Sequence, residues 1–546
     1  MSLVLDLCAT AVLGTAISIV YWVLKQWWLD AQYGTFLPPG PRRIPLVGNA
    51  HQLGLDGQHK TLSDWSKRYG DVIFMRVFNK PALVLNSAEA ARDLLDKRSA
   101  KYSDRPHFTL LVDMFGSDPN PALMPYGPWW RQHRVWLHSG LMDKDNLVGY
   151  QPILRKGTGR LLSTLIDSPD DFIAHVKRFV GGLMLEIAYG HTAASADDEL
   201  IMLADTVVRE AMDEGSIAGT LVDYFPSLRY IPAWFPGGGF KRRAARIHGM
   251  MREMYDRPYE QAKAAVVSPE YYLLSPCSSY FSVVAWNGKA SFLTTLLESL
   301  ATDGDLTPEH EEHLKGAAIV LYTGKPQQLL TCGTDTTSTV LASFFLAMTL
   351  YPEVVKKAQD EIDRVVGNAR LPDFEDRSSL PYLECILSEL YRWNPPLYLG
   401  VPHRLTTDDD YRRWHIPRGS MIIPNIWWML RNPERYPAPD TFHPERFQEM
   451  DPIVADATNP RNLVFGFGRR ICPGRQLADQ TLWLAIANIL AVFNIHKARD
   501  ADGNEITPEA VFVSGGISHP RPFKCEIRPR LESAASRVQC LAGSVT

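Results

Sequence analysis

Phe465-Gly466-Phe467-Gly468-Arg469-Arg470-Ile471-Cys472-Pro473-Gly474 is the stretch that decides how this chain is read. The glycines ahead of the cysteine permit a tight turn and a close backbone approach. Pro473 suits the first position of a helix, where its missing N–H is not needed. The apolar run from Leu477 to Val492 predicts that helix. Cys472 then stands at a helix N-terminus, where the dipole and free N–H groups favour a thiolate. A lone thiolate in a stiff glycine loop is a nucleophile, a metal ligand or a buried thiol. No second cysteine lies nearby, which disfavours zinc.

Around this loop lies a chain of 546 residues, enough for several domains or one large one. Hydrophobic residues make up 45% and charged residues 22%, which excludes wholesale disorder, collagen and coiled coil. The 57 basic and 61 acidic residues leave a net charge of -4, so nothing points to nucleic acid as the main partner. The 7 cysteines are odd in number and widely spread, which fits a reducing compartment rather than a disulfide-stapled scaffold. Aromatic residues at 10%, with 14 tryptophans, point to a large apolar interior or to pockets for an apolar ligand.

No fixed-period repeat occurs. Helical periodicity dominates, as over Ala88–Leu95, Leu200–Met212, Pro352–Val366 and Leu482–Val492. Val72–Val77, Ala82–Leu85 and Met421–Pro424 read as short strands. The chain is therefore expected to be mainly α with minor β, a single large helical domain with a small β-rich region. Leu3–Leu24 is almost wholly apolar, with Asp6 its only charge, and ~20 such residues span a hydrocarbon core as a helix. Lys25, Trp27 and Trp28 follow, and the positive-inside rule puts the bulk of the chain in the cytosol. The basic start and cleavage site of a signal peptide are not evident, so the segment reads as a transmembrane anchor. Leu37–Pro45, with four prolines, predicts a stiff extended spacer. The expected divisions are an anchor over residues 1–30, a catalytic domain over 31–530 and a tail over 531–546.

Three further groups carry chemistry. Glu389 and Arg392 lie three apart on a helix predicted over Tyr382–Trp393, so they share a face. Standing alone, such a pair would be a common surface contact of little weight. Trp130 and Arg134 lie four apart, and an arginine grips a carboxylate with two parallel hydrogen bonds while an indole N–H adds one. The same spacing also suits a surface amphipathic turn. Gly333-Thr334-Asp335-Thr336-Thr337 opens the apolar helix Ser338–Leu350. An acid beside a hydroxyl can pass protons into a dry site, and the same residues can simply cap a helix.

Phe465-x-x-Gly468-Arg469-x-x-Cys472-x-Gly474 resembles the heme-binding loop of the cytochromes P450 at each defined position. A heme iron needs only one such sulfur, and nearby amide groups tune it. The resemblance implies the cytochrome P450 fold and heme b (iron protoporphyrin IX), with Cys472 as the axial iron ligand. It makes Phe465, Gly468 and Gly474 further cofactor-binding positions and puts Arg469 near a heme propionate. Glu389 and Arg392, with Arg446 of Pro444-Glu445-Arg446-Phe447, match the family's buried Glu–Arg–Arg network, whose implied role is to hold the cysteine loop. Trp130 and Arg134 resemble the family's propionate-binding pair, and His403 resembles another propionate contact. Asp335 and Thr336 match the family's catalytic acid–alcohol pair and imply a proton relay for oxygen activation.

The chain departs from the family pattern at Cys332, where Ala or Gly is usual. Removing Lys325–Cys332 would join Leu321-Tyr322-Thr323-Gly324 to Gly333-Thr334-Asp335-Thr336, which restores the motif and a continuous helix. Pro326 would otherwise break that helix. Val266–Asn287, rich in Ser, Tyr and Pro, also lacks a helical period. We read Lys325–Cys332, and with it much of Val266–Asn287, as a splicing or gene-model artefact; a dominant transcript carrying both would refute this. If both are genuine, the helix must bulge or start late.

Leu37–Pro41, Asp223–Pro226 and Ser518–Cys525 look like fungal microsomal P450s of the O-methylsterigmatocystin oxidoreductase type. The resemblance implies a heme-thiolate monooxygenase that inserts one oxygen atom of O2 into a lipophilic substrate, in secondary or xenobiotic metabolism. Electrons would come from NADPH through NADPH–cytochrome P450 reductase, with cytochrome b5 a second candidate donor. The chain would be a single-pass protein of the endoplasmic reticulum membrane, its catalytic domain cytosolic, with membrane lipid as a further partner. By family position the substrate pocket would draw on Phe108–Met124, Ile217–Val222, Leu397–Val401 and Val513–Ile517. Ile231–Phe240 reads either as a loop that dips into the membrane or as one packed on the domain. Three rivals remain: a heme-binding P450-like protein with no turnover because of the insertion, a reductase-independent P450 isomerase or dehydratase, and a cysteine hydrolase. Asp335 and Thr336 speak against the second. The third lacks a placed histidine partner.

Overall fold

The computed structural model describes residues 36–54, 56–193, 198–212, 217–267, 291–302, 306–322, 333–451, 458–513, 516–532 and 536–538, residues 304 and 454, and scattered positions from 14 to 24. The elements that place the site are, in chain order, α1 (Gln58–Tyr69), β1 (Val72–Val77), β2 (Lys80–Leu85), α2 (Pro128–Met142), α3 (Lys144–Asp167) and α4 (Phe172–Tyr189). They continue with α5 (Pro308–Tyr322), α6 (Thr334–Leu350), α7 (Pro352–Val365), α8 (Pro381–Trp393), β3 (His403–Arg404), β4 (Met421–Pro424), α9 (Arg475–Val492), β5 (Phe493–Arg499) and β6 (Cys525–Pro529). Within the described residues the expected helices and strands from Val72 onward are present. Ala88–Leu95 divides into an α turn, Ala88–Ala91, and a wider π turn, Arg92–Lys97.

A helix that is apolar on every side leaves itself no solvent face and must sit inside the protein. α6 is buried at every residue from Val340 to Thr349, and α9 from Thr481 to Val492. α3 packs on α4, α4 on α6, α6 on α9 and α9 on α3, which closes a four-helix bundle. Phe345 of α6 meets Phe172 of α4 with ring centroids 5.0 Å apart. α8 starts at Pro381, where no N–H is needed, and the Glu361 carboxylate of α7 accepts the N–H groups of Tyr382 and Leu383.

The small sheet runs in the order β1-β2-β4-β3, with β2 and β4 parallel and the other pairs antiparallel. Strand alternation puts Ile73, Met75, Ala82 and Val84 on one face with Leu62 of α1. Val72, Phe74, Leu83 and Leu85 cover the other face. This sheet carries His403 on β3 beside the helical region.

Three expectations about the chain ends meet the structure differently. Leu3–Leu24 lies almost entirely outside the described residues, and among those no single helix is long and apolar enough to cross a membrane. The proline segment is not a free spacer, because the Pro39 carbonyl accepts the Phe74 N–H at 3.0 Å and Leu37 is buried. A side chain at position 40 would meet the Phe74 carbonyl oxygen at 2.0 Å, which explains Gly40. The packed region also runs past residue 530, since Val538 is buried in the main core.

Of the two odd stretches, residues 268–290 and 323–332 lie outside the described residues. The ends that flank the second are adjacent: Thr334 Oγ1 donates to the Tyr322 carbonyl oxygen at 2.7 Å. If Lys325–Cys332 were absent, Thr334 would follow Tyr322 by four residues. That is the spacing at which a threonine hydroxyl bonds back to a carbonyl within one helix. We expect a chain lacking Lys325–Cys332 to fold with a urea midpoint equal to or above that of the full chain. A lower midpoint would show that the eight residues stabilise the break between α5 and α6.

Candidate active site

α9 begins at Arg475 with Gly474 as its N-cap, so Pro473 precedes the helix instead of occupying its first position. The Cys472 N–H donates to the Phe465 carbonyl at 2.8 Å and closes the loop. Gly466 and Gly468 have φ of +78° and +55°, a region that side chains rarely adopt. A Cβ at 468 would also meet the Leu95 carbonyl oxygen at 2.0 Å, so only glycine fits there. The Asp96 carboxylate accepts the Gly468 N–H and pins the loop from outside.

Cys472, Phe465 and Gly474 line one cavity together with Trp130, Arg134 and His403. Thr336 lines it from α6, beside Thr337 and Val340. Asp335 is half-buried and does not line it. The remaining wall is mostly apolar, as with Leu137, Leu321 and Leu482. Burial holds the Cys472 thiol above its ordinary range, against the opposing pull of the Gly474 N–H, Arg134 and Arg475. In this cavity desolvation therefore outweighs the helix-terminus effect expected from the sequence.

Two guanidiniums face the same space. Arg134 donates to the Ile471 carbonyl at 2.5 Å, and Arg470 donates to the carbonyls of Ser103, Pro121 and Met124. Burial pulls both below their ordinary range, and among the described residues neither forms an ion pair with a carboxylate. Arg470 lies 4.4 Å from the Trp130 ring centroid. His403 is buried and held well below its ordinary pKa by desolvation. Its Nδ1 sits 2.8 Å from the Tyr102 carbonyl oxygen, which can only accept, so Nδ1 carries the proton.

Arg469 does not lie where the sequence reading placed it. It is exposed and donates to the Tyr126 hydroxyl, while the next residue, Arg470, enters the cavity. The physical reason is the single helical turn Gly468–Arg470, which points neighbouring side chains in different directions. Arg105 was also missed; it lines the cavity and donates to the carbonyls of Ala122, Val401 and Pro402. Arg470 could have been found from its position two residues before the cysteine. Arg105 carries no comparable signal. Of the expected pocket segments, Pro121, Ala122, Leu397, Gly400 and Val401 line the cavity. No described residue of Ile217–Val222 or Val513–Ile517 does.

Glu389, Arg392 and Arg446 meet behind the loop. Arg392 grips Glu389 with two bonds, Nε to Oε2 at 2.7 Å and Nη2 to Oε1 at 2.8 Å. Arg446 Nε adds a third at 3.1 Å, and the His443 N–H a fourth at 2.8 Å. Glu389 and Arg392 are 0% exposed and Arg446 5%. Arg461, which the sequence did not flag, bonds Asp479 of α9 at 2.7 Å and Glu384 and Ser388 of α8 at 2.9 and 2.7 Å.

A half-buried cysteine, two guanidiniums without carboxylate partners and apolar walls around one cavity suit a flat, apolar, dianionic macrocycle with a soft metal site. Fold and site together define a heme-thiolate protein. A family model for cytochrome P450 matches residues 38–526. The chain is 46% identical to cytochrome P450 monooxygenase 176 of Postia placenta over the whole of both chains. It is 46% identical to cytochrome P450 monooxygenase 136 of the same fungus, over 94% of this chain and 92% of that one. A cytochrome P450 monooxygenase of Armillaria gallica is 38% identical over 95% of this chain and 98% of its own. The chain belongs to the cytochrome P450 family and is a monooxygenase; heme is the cofactor that the family implies.

Removing the Glu389 carboxylate leaves two buried cations facing each other. We expect Glu389→Ala to lower the unfolding free energy by about 3–5 kcal/mol. Chemical unfolding followed by tryptophan fluorescence measures this, and an unchanged midpoint would show that the cluster contributes nothing to stability.

Proposed function

We propose that this chain is a membrane-anchored monooxygenase that oxidises a lipophilic small molecule with electrons from NADPH–cytochrome P450 reductase. The observation that carries the reading is the convergence of Cys472, Arg134, Arg470 and Thr336 on one apolar cavity. Cys472 is the ligand for the heme iron. Trp130, Arg134, Arg470 and His403 hold the propionate side, and Arg105 joins them. When bound, heme supplies the oxygen-activating iron that delivers one oxygen atom to the substrate. The protein's part is to orient, to keep water out and to move protons. Thr336 Oγ, on the cavity wall, passes a proton inward, and the half-buried Asp335 carboxyl beside it replaces that proton. Glu389, Arg392 and Arg446 hold the path of the chain that leads to Cys472 and do not react.

Apolar residues dominate the wall, which favours a lipophilic substrate. Secondary or xenobiotic metabolism is the setting such a substrate fits. Residues 1–30 anchor the chain in the endoplasmic reticulum membrane, with the catalytic domain in the cytosol. Support for a membrane-facing surface comes from the end of the turn Pro226–Tyr230 and the loop that follows, where Tyr230 is 71% and Trp234 81% exposed. Large aromatic side chains left in the open suit the interface between lipid and water. Exposed Arg131 and Arg469 flank Tyr126 at the outer edge of the cysteine loop and offer cations to an acidic electron donor, the reductase or cytochrome b5.

Two variants test the reading. Cys472→Ala should lose the heme-thiolate band in a carbon monoxide difference spectrum of reduced protein; retention of that band would exclude Cys472 as the ligand. Thr336→Ala should keep the band but yield at least ~10-fold less product per NADPH consumed, in line with the usual contribution of a positioned proton donor. Equal coupling in wild type and variant would remove Thr336 from the relay.

A further inference from the structure

Ser343, Ser518 and the pair Asn394 and Tyr398 come from three separate stretches of the chain and meet in one buried hydrogen-bonded cluster. Asn394 Nδ2 donates to Ser343 Oγ of α6 at 2.9 Å. Asn394 Oδ1 accepts from Tyr398 Oη at 2.9 Å and from Ser518 Oγ at 2.7 Å. Ser518 Oγ lies 2.6 Å from Tyr398 Oη, and the Ser518 N–H donates to the Pro396 carbonyl at 2.9 Å. Ser343 and Asn394 are 0% exposed and Ser518 1%. The His59 ring of α1 packs on the Tyr398 ring with centroids 4.3 Å apart. Polar groups are tolerated so deep only when paired, and a satisfied network permits one arrangement of the segments that carry it.

Those segments frame the cavity. Pro396, Leu397, Gly400 and Val401 line it and follow directly on Asn394. On α6, Val340 and Thr336 line it three and seven residues before Ser343, on the same helix face. The Asn394 amide thus ties α6 to the segment that carries Pro396–Val401. None of the four polar side chains touches the cavity, so none is a catalytic residue.

We propose that Asn394 is a positioning residue for substrate selectivity: its amide sets the distance between α6 and the wall Leu397–Val401. The proposal rests on the reading of this cavity as the substrate site. A molecule that reaches the wall feels the setting of the amide. A molecule that stays beside Cys472 does not.

Heme-loaded protein is titrated with imidazole, which is small, and with 1-octylimidazole, whose chain reaches the walls; heme absorbance reports both. Asn394→Ala, Tyr398→Phe and Ser518→Ala are each expected to change the dissociation constant for 1-octylimidazole by about tenfold, the scale of one buried hydrogen bond. Imidazole should bind each variant as it binds wild type. Ser343→Thr, which keeps the hydroxyl, should retain the wild-type ratio of the two constants. If both probes shift together, the cluster acts as general stabilisation and the proposal is overturned; it is equally overturned if neither shifts. Should Asn394→Ala not fold, the two single-hydroxyl variants decide the outcome alone. A wild-type protein that binds neither probe overturns the functional reading beneath the proposal as well.

Discussion

A carboxylate with no access to water cannot hold its charge alone. Glu389 is such a group, and it is held by two guanidiniums and a backbone N–H. The pairing joins α8, which carries Glu389 and Arg392, to the stretch around Arg446 that precedes the cysteine loop. The arginines in turn bond the carbonyls of Pro437, Pro439 and Thr441, so the route of that stretch is fixed along its length. Arg461 makes a second connection, from α8 to Asp479 of α9, on the other side of the loop. The place of the Cys472 sulfur is therefore set by charge pairs on either side of it. The loop's own bonds, from the Cys472 N–H to Phe465 and from the Gly468 N–H to Asp96, complete the placement.

Much of this was legible before the structure. α6 and α9 declare themselves because a helix buried all round must be apolar all round, and the strands because their alternation serves two buried faces. Cys472 stands out because it sits in a stiff glycine loop ahead of an apolar helix, but its role as a ligand came from the family resemblance and not from the spacing. Glu389 and Arg392 are three residues apart, so one helix suffices to bring them together. Arg446 entered only through resemblance, since 57 residues separate it from Glu389. Arg105 stayed hidden for a related reason. Two of its acceptors are carbonyls 296 and 297 residues away, and a backbone carbonyl leaves no mark in a sequence. The exchange of Arg469 for Arg470 has a different origin: the sequence reading took the first of two adjacent arginines, and only the local turn shows that the second points inward.

The electrostatics of the cysteine show the limit of reasoning from one effect. A helix N-terminus favours a thiolate, and the Gly474 N–H, Arg134 and Arg475 all pull in that direction. Burial pulls the other way and wins. A metal cation at the sulfur is the kind of partner that deprotonates a bound thiol outright, which offsets that burial. The half-buried guanidiniums of Arg134 and Arg470 pose the converse demand for anions. One group with a cationic centre and anionic edges would answer both demands, and the two then cease to be separate costs.

The cavity wall is built on a contrast. Its inner surface is apolar and carries little directional information, since hydrophobic contact adapts to many shapes. Behind the segment Leu397–Val401, however, lies a polar cluster whose members each have partners at fixed distances. Hydrogen bonds are directional where apolar contacts are not. Rigidity can therefore reside one layer behind the surface that meets a ligand. Such a division allows one fold to keep its iron-binding end constant and still present differently spaced walls to different lipophilic molecules.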